Sequence, residues 1–94
     1  MSESFASFVS HEVVLDTGGP MIYLGTLKEV NEAGFLLEMA DVHDVRDGHA
    51  TAEVYVHEAR VQGITPNRLR VLVMRSAVMS VSRLADVVEA GEGE

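Results

Sequence analysis

Ninety-four residues make one domain, and a chain of that size buries only a little over ~60% of the surface its unfolded form exposes. There is no cysteine, which excludes disulfide staples and thiolate metal sites and leaves subunit association as the natural supplement to a small core. The formal net charge of −8 is the wrong sign for a general DNA binder or a protein that coats anionic membranes. The start, Met1-Ser-Glu-Ser-Phe5, carries an acid where a signal peptide carries bases. No apolar run approaches the ~20 residues of a membrane span. The expectation is a cytoplasmic protein.

In chain order, Phe5, Phe8 and Val9 have helical spacing and predict one or two turns lying over one end of the fold. Glu12 to Leu15 is a short apolar strand, and Asp16-Thr-Gly-Gly-Pro20 is a turn. Met21 to Val30 is a ten-residue strand with Gly25 inside it, the mark of a bend or a close backbone approach. Asn31-Glu-Ala-Gly34 is a turn, Phe35 to Val42 a third strand, and the residues from Asp41 to His49 a polar stretch. Ala52, Tyr55, Val56 and Ala59 then fall at i, i+3, i+4 and i+7, predicting an amphipathic helix over 51–62. Thr51 is its N-cap, and Gly63 with Thr65-Pro66 stops it. Arg68 to Arg75 reads as the fourth strand, Ser76-Ala77 as a tight turn and Val78 to Ser82 as the fifth strand. Leu84 to Val88 predicts one more helical turn, and residues 90–94 an acidic, frayed tail after a single domain spanning 1–89.

Charge is unevenly placed. Residues 1–45 carry net −7, 46–83 net +3 and 84–94 net −4. Arg60, Arg68, Arg70, Arg75 and Arg83 fit either a local anion-binding face or a set of ion pairs with surrounding acids, and the pairs are the expectation. Asp41, His43, Asp44, Asp47 and His49, with Glu53 and His57 on the helix, are residue types that suit a divalent metal. They lack a defined ligand spacing, so Asp41, His43 and His49 are weak candidates in what reads as a solvated acidic loop. Gly18-Gly19-Pro20 is not followed by Gly-Lys-Ser/Thr and is no phosphate loop. No Ser-His-Asp or paired-carboxylate arrangement stands out, so neither an enzyme nor a cofactor is expected. Arg68 with Glu58 is the simplest tie between helix and sheet. The methionines Met21, Met39, Met74 and Met79 read as core filler.

Two blocks carry a family resemblance. Val13 to Asp41 has a strand, a glycine turn, Tyr23 two before Gly25, Thr26-Leu27, a polar turn and a hydrophobic third strand. Leu72-Val-Met-Arg75-Ser76-Ala-Val78-Met-Ser-Val81 has two strands flanking a short arginine-containing turn. Together, over about half the chain, these resemble the two motifs of the Sm/LSm family. The resemblance implies a mainly β fold: a small five-stranded, strongly bent Sm-like barrel with a short N-terminal helix and a helix inserted between strands 3 and 4.

The resemblance also implies a homo-oligomeric ring in which strand four of one subunit meets strand five of the next. Leu69, Val71, Val73, Val78 and Val81 are the expected interface residues. RNA is the implied partner, held by the turns after strands two and four. At the matching positions stand Asn31, Ala33 and Gly34 in the first turn and Arg75-Ser76 in the second. No aromatic ring is present for stacking, which is worth ~1–3 kcal/mol per base. Asn31, Arg75 and Ser76 are what remains of such a site. A ring that serves as a protein-interaction scaffold without RNA is the alternative.

Overall fold

Five antiparallel strands and one full helix emerge in the computed structural model, which describes residues 3–48 and 51–88. The elements are α1 (Glu3–Ala6), β1 (Glu12–Asp16), β2 (Met21–Val30), β3 (Gly34–Asp44), α2 (Ala52–Gln62), β4 (Arg68–Met74) and β5 (Ser80–Arg83). Single 3₁₀ turns cover Val45–Asp47, Arg75–Ala77 and Leu84–Asp86. The strands lie in the order β4-β3-β2-β1-β5 in one sheet that does not close. His49 and the tail 90–94 lie outside the described residues. No helix among the described residues is long and apolar enough to cross a membrane.

Two strand boundaries differ from the sequence expectation by more than one residue. β3 continues to Asp44 because β2 is long enough to pair with it there, Met21 opposite Asp44 and Ile22 opposite His43. The polar stretch thus begins as strand. β5 starts only at Ser80, because Arg75 to Ala77 wind into a 3₁₀ turn closed by Val78 N–H donating to the Arg75 carbonyl at 3.3 Å.

The sheet is apolar on both faces. One face gathers Val13, Leu15, Leu27, Phe35, Leu37, Ala40 and Val73, with Phe5, Phe8 and Val9 packed over them. The other gathers Val14, Ile22, Leu24, Val56 and Leu84, covered by α2 through Ala52, Tyr55 and Ala59. The period-2 alternation of β1 and β2 does this sorting. Each fully buried leucine contributes about 1.5–3 kcal/mol of transfer free energy. Register shifts follow Leu24 and Leu27 in the β2–β3 ladder. At the first, Gly25 lies against β3 so closely that a Cβ would stand 3.2 Å from Ala40 Cα.

α2 follows its end signals. Thr51 Oγ1 accepts from Val54 N–H at 3.2 Å, and Gly63, at φ 96°, donates to the Ala59 carbonyl at 2.8 Å. The stripe expected from spacing is the stripe that faces the sheet.

Candidate functional site

The sheet order brings together the two turns that flank β3 and β4. Gly34 pairs with Met74, and a Cβ on Gly34 would collide with the Val73 carbonyl oxygen, so only glycine allows this approach. Beyond that pair, Arg75 N–H donates to the Ala33 carbonyl at 2.9 Å, and Arg75 Nη1 donates to the Asn31 carbonyl at 3.0 Å. Asn31 and Arg75, 44 positions apart, share one corner of the molecule. Ser76 is exposed in the same 3₁₀ turn.

Asn31 is occupied by its own turn. Its Oδ1 accepts from Ala33 N–H at 2.8 Å and Gly34 N–H at 3.2 Å. Its Nδ2 donates to Glu29 Oε2 at 2.9 Å, and its N–H donates to the Gly34 carbonyl at 3.0 Å. The amide therefore closes the hairpin rather than facing outward. Ala33 is exposed and offers no ring. Arg75 retains most of the five N–H donors of a guanidinium.

The expected interface residues divide by depth. Val73 belongs to the core, Val71, Val78 and Val81 are half-buried against it, and Leu69 is 79% exposed. β4 also exposes Leu72 (41%) and Met74 (56%), and Met79 beside β5 is 76% exposed. Met39, Met74 and Met79 are thus surface residues, and Met21 is half-buried; the core-filler expectation fails for the first three. Since Arg75 bonds to Ala33, just before β3, and antiparallel bonds recur at every second residue, Val73 and Val71 share that phase. Arg70, Leu72 and Met74 turn their backbone groups to the open side of the sheet.

The arginines largely find carbonyls instead of acids. Of the five singled out, only Arg70 approaches a carboxylate of the described residues, Glu38 at 3.9 Å. Arg60 Nε donates to the Ala85 carbonyl at 3.3 Å and Arg68 Nη1 to the Asn67 carbonyl at 3.0 Å. Arg83 Nη2 lies 3.3 Å from His11 Nδ1. The short ion pair is Arg46 with Asp44, at 2.6 Å.

A second polar group sits beneath α2. Tyr55 donates its hydroxyl to Asp41 Oδ2, and its ring stacks on His43 with centroids 3.8 Å apart. Asn67 Nδ2 donates to Asp41 Oδ1 at 3.3 Å and to the Val42 carbonyl at 3.0 Å, while its Oδ1 accepts from Val42 N–H at 3.0 Å. This network is the tie between helix and sheet, in place of the expected Arg68–Glu58 pair. Burial pushes the Asp41 carboxyl above its ordinary range, against the pull of His43. Asp41 and His43 are thus joined through Tyr55, and among the described residues no group of three or more His, Asp or Glu side chains is placed to hold a metal ion.

No family model, curated protein or solved structure matches the chain.

Proposed function

We propose that the chain is a non-catalytic, Sm-like subunit that assembles edge to edge, β4 of one copy against β5 of the next, into a closed ring. The carrying observation is the sheet order: β4 and β5 are its two terminal strands, neither paired on its outer side among the described residues, with Leu69, Leu72, Met74 and Met79 exposed along them. Unpaired apolar edges are a liability that proteins cover. A head-to-tail contact of this kind closes into a ring or grows into a fibre. Light scattering of the parent protein should report a discrete multiple of the chain mass. Leu72→Pro removes a donor on the open side of β4 and should yield a folded monomer, whereas Val71→Pro breaks the intramolecular ladder and should unfold the chain. A monomeric parent at micromolar concentration removes this reading.

RNA is the ligand we assign to the ring, through Arg75, repeated once per subunit. Without a ring at position 33, and with the Asn31 amide engaged, such binding rests on phosphate contacts, falls steeply with salt and discriminates poorly among bases. In a gel-shift assay at two salt concentrations, Arg75→Ala should abolish binding and Lys28→Ala should matter little. The alternative, a ring that scaffolds proteins and holds no RNA, is favoured by Glu29 and Glu32 beside the same turn. A parent that shifts no RNA even at low salt leaves the scaffold standing.

A further inference from the structure

An open groove of about 420 Å³ runs between the N-terminal segment and the start of β5, walled by Phe5, Phe8, Phe35, Val78 and Val81, with Arg75 the only charged side chain among the described residues of its lining. We propose that this groove binds a linear aliphatic carboxylate, the alkyl chain lying along the phenylalanine walls and the carboxylate held by Arg75.

The volume lies within the roughly 300–1,000 Å³ of small-molecule sites. Its apolar walls are fixed: Phe35 is buried in the core, and Phe5 packs edge-on against it with ring centroids 5.7 Å apart. The guanidinium is fixed too. Arg75 is held through its backbone N–H by Ala33 and through Nη1 by Asn31, and no carboxylate of the described residues pairs with it. In a chain whose acids outnumber its lysines and arginines 15 to 7, an arginine left without an acid at an apolar groove is a charge awaiting its complement. A planar guanidinium binds a carboxylate through two parallel hydrogen bonds.

The walls choose the rest of the ligand. A phosphate polymer has no use for three phenyl rings. A peptide laid along them would bring amides with few partners, which costs free energy. A molecule with one charged end and an otherwise apolar body matches both parts of the lining. All the described lining residues belong to one chain, so the site does not require ring assembly, although Val78 and Val81 are also expected interface residues.

The test titrates the full chain with decanoate carrying a ¹³C-labelled carboxyl group, followed by NMR at that carbon and at the methyl groups of Val78 and Val81. The expected result is saturable binding of one decanoate per chain, with shifts at both valines. Arg75→Gln should weaken it about tenfold or more, as expected when a charge-assisted hydrogen-bonded pair is lost. Decanol should bind the parent correspondingly more weakly and be indifferent to that substitution. Ser80→Trp, at an exposed position of the lining, fills the groove without touching Arg75 and should abolish binding. Arg70→Gln, on the other side of β4, should leave it unchanged. No saturable shift by about 1 mM, equal binding of decanol and decanoate, or undiminished binding by Arg75→Gln or Ser80→Trp would overturn the proposal.

Discussion

β1 and β4 are written in the same alphabet, Glu-Val-Val-Leu-Asp and Arg-Leu-Arg-Val-Leu-Val-Met, and meet opposite fates. Val13, Val14 and Leu15 are 0%, 6% and 0% exposed. Leu69, Leu72 and Met74 are 79%, 41% and 56% exposed, and only Val73 of β4 is buried. Composition does not separate the two strands; neighbours do. β1 has β2 on one side and β5 on the other, with a layer of side chains over each face. β4 has β3 alone. An apolar strand with one neighbour keeps one edge open, which is the edge the proposed assembly would use.

The contrast is testable at matched leucines. Leu15→Ala empties a fully buried site and should cost about 3 kcal/mol in urea unfolding. Leu69→Ala should change the stability of the isolated chain by less than about 0.5 kcal/mol while loosening any assembly. Similar losses for both would erase the distinction between centre and edge.

A smaller effect probes the cover that α2 lays over β1. Tyr55→Phe keeps the ring on His43 and removes the hydroxyl from Asp41, and should cost about 1 kcal/mol by the same measurement. Tyr55 is half-buried, so Tyr55→Ala should fall short of the ~3 kcal/mol of a fully buried aromatic. No change on Tyr55→Phe would mean that α2 is held by its apolar stripe alone.

The smallest effects are in pH, where Asp41 and Asp44 on β3 should act in opposite senses. Asp41 has a folded pKa raised by burial. Its contribution favours folding below the ordinary value of 3.8 and is lost as pH rises through the folded value. Side-chain and backbone hydrogen bonds from Arg46 hold Asp44 down at about 2. Its contribution is present above 3.8 and is lost as pH falls towards 2. In unfolding midpoints followed from about pH 2 to 7, Asp41→Asn should flatten the upper slope and Asp44→Asn the lower one. Slopes of the same sign would contradict the difference in environment.

Much of this architecture was legible because local signals agree with tertiary ones. Thr51, the apolar stripe and Gly63 defined α2 to within a residue. The turns at 31–34 and at Ser76-Ala77 follow from the sequence, and the structure brings Asn31 and Arg75 to one corner. What stayed hidden depends on long-range pairing. That β3 runs to Asp44 could not be read from polar residues without alternation; only its pairing with β2 reveals it. The Tyr55 network was hidden with it, because Asp41 and His43 reach Tyr55 only once that strand extends. The one available signal was a tyrosine in a stripe otherwise made of alanine and valine, a ring with a hydroxyl that needs a partner when covered. Met39 sits exposed at φ 50° in the middle of β3, next to the Gly25 approach, and nothing in its local sequence marks that irregularity.

The position of β1 between β2 and β5 also sets a problem of time. A ribosome delivers β1 before β2, β3, α2 and β4, and β5 after all of them, so the two sides of the most protected strand are completed far apart in synthesis. The β2–β3 hairpin, whose turn Asn31 closes with its own amide, forms from neighbours and can shelter one side of β1 soon after it emerges. The other side waits, presenting Val-Val-Leu to whatever is near. Glu12 and Asp16 bracket that triplet, and charges at both ends of a short apolar run are what discourages nascent chains from pairing with one another. Asp16, whose Oδ1 accepts from Gly18 N–H in the finished fold, thus flanks the strand together with Glu12 before the core exists.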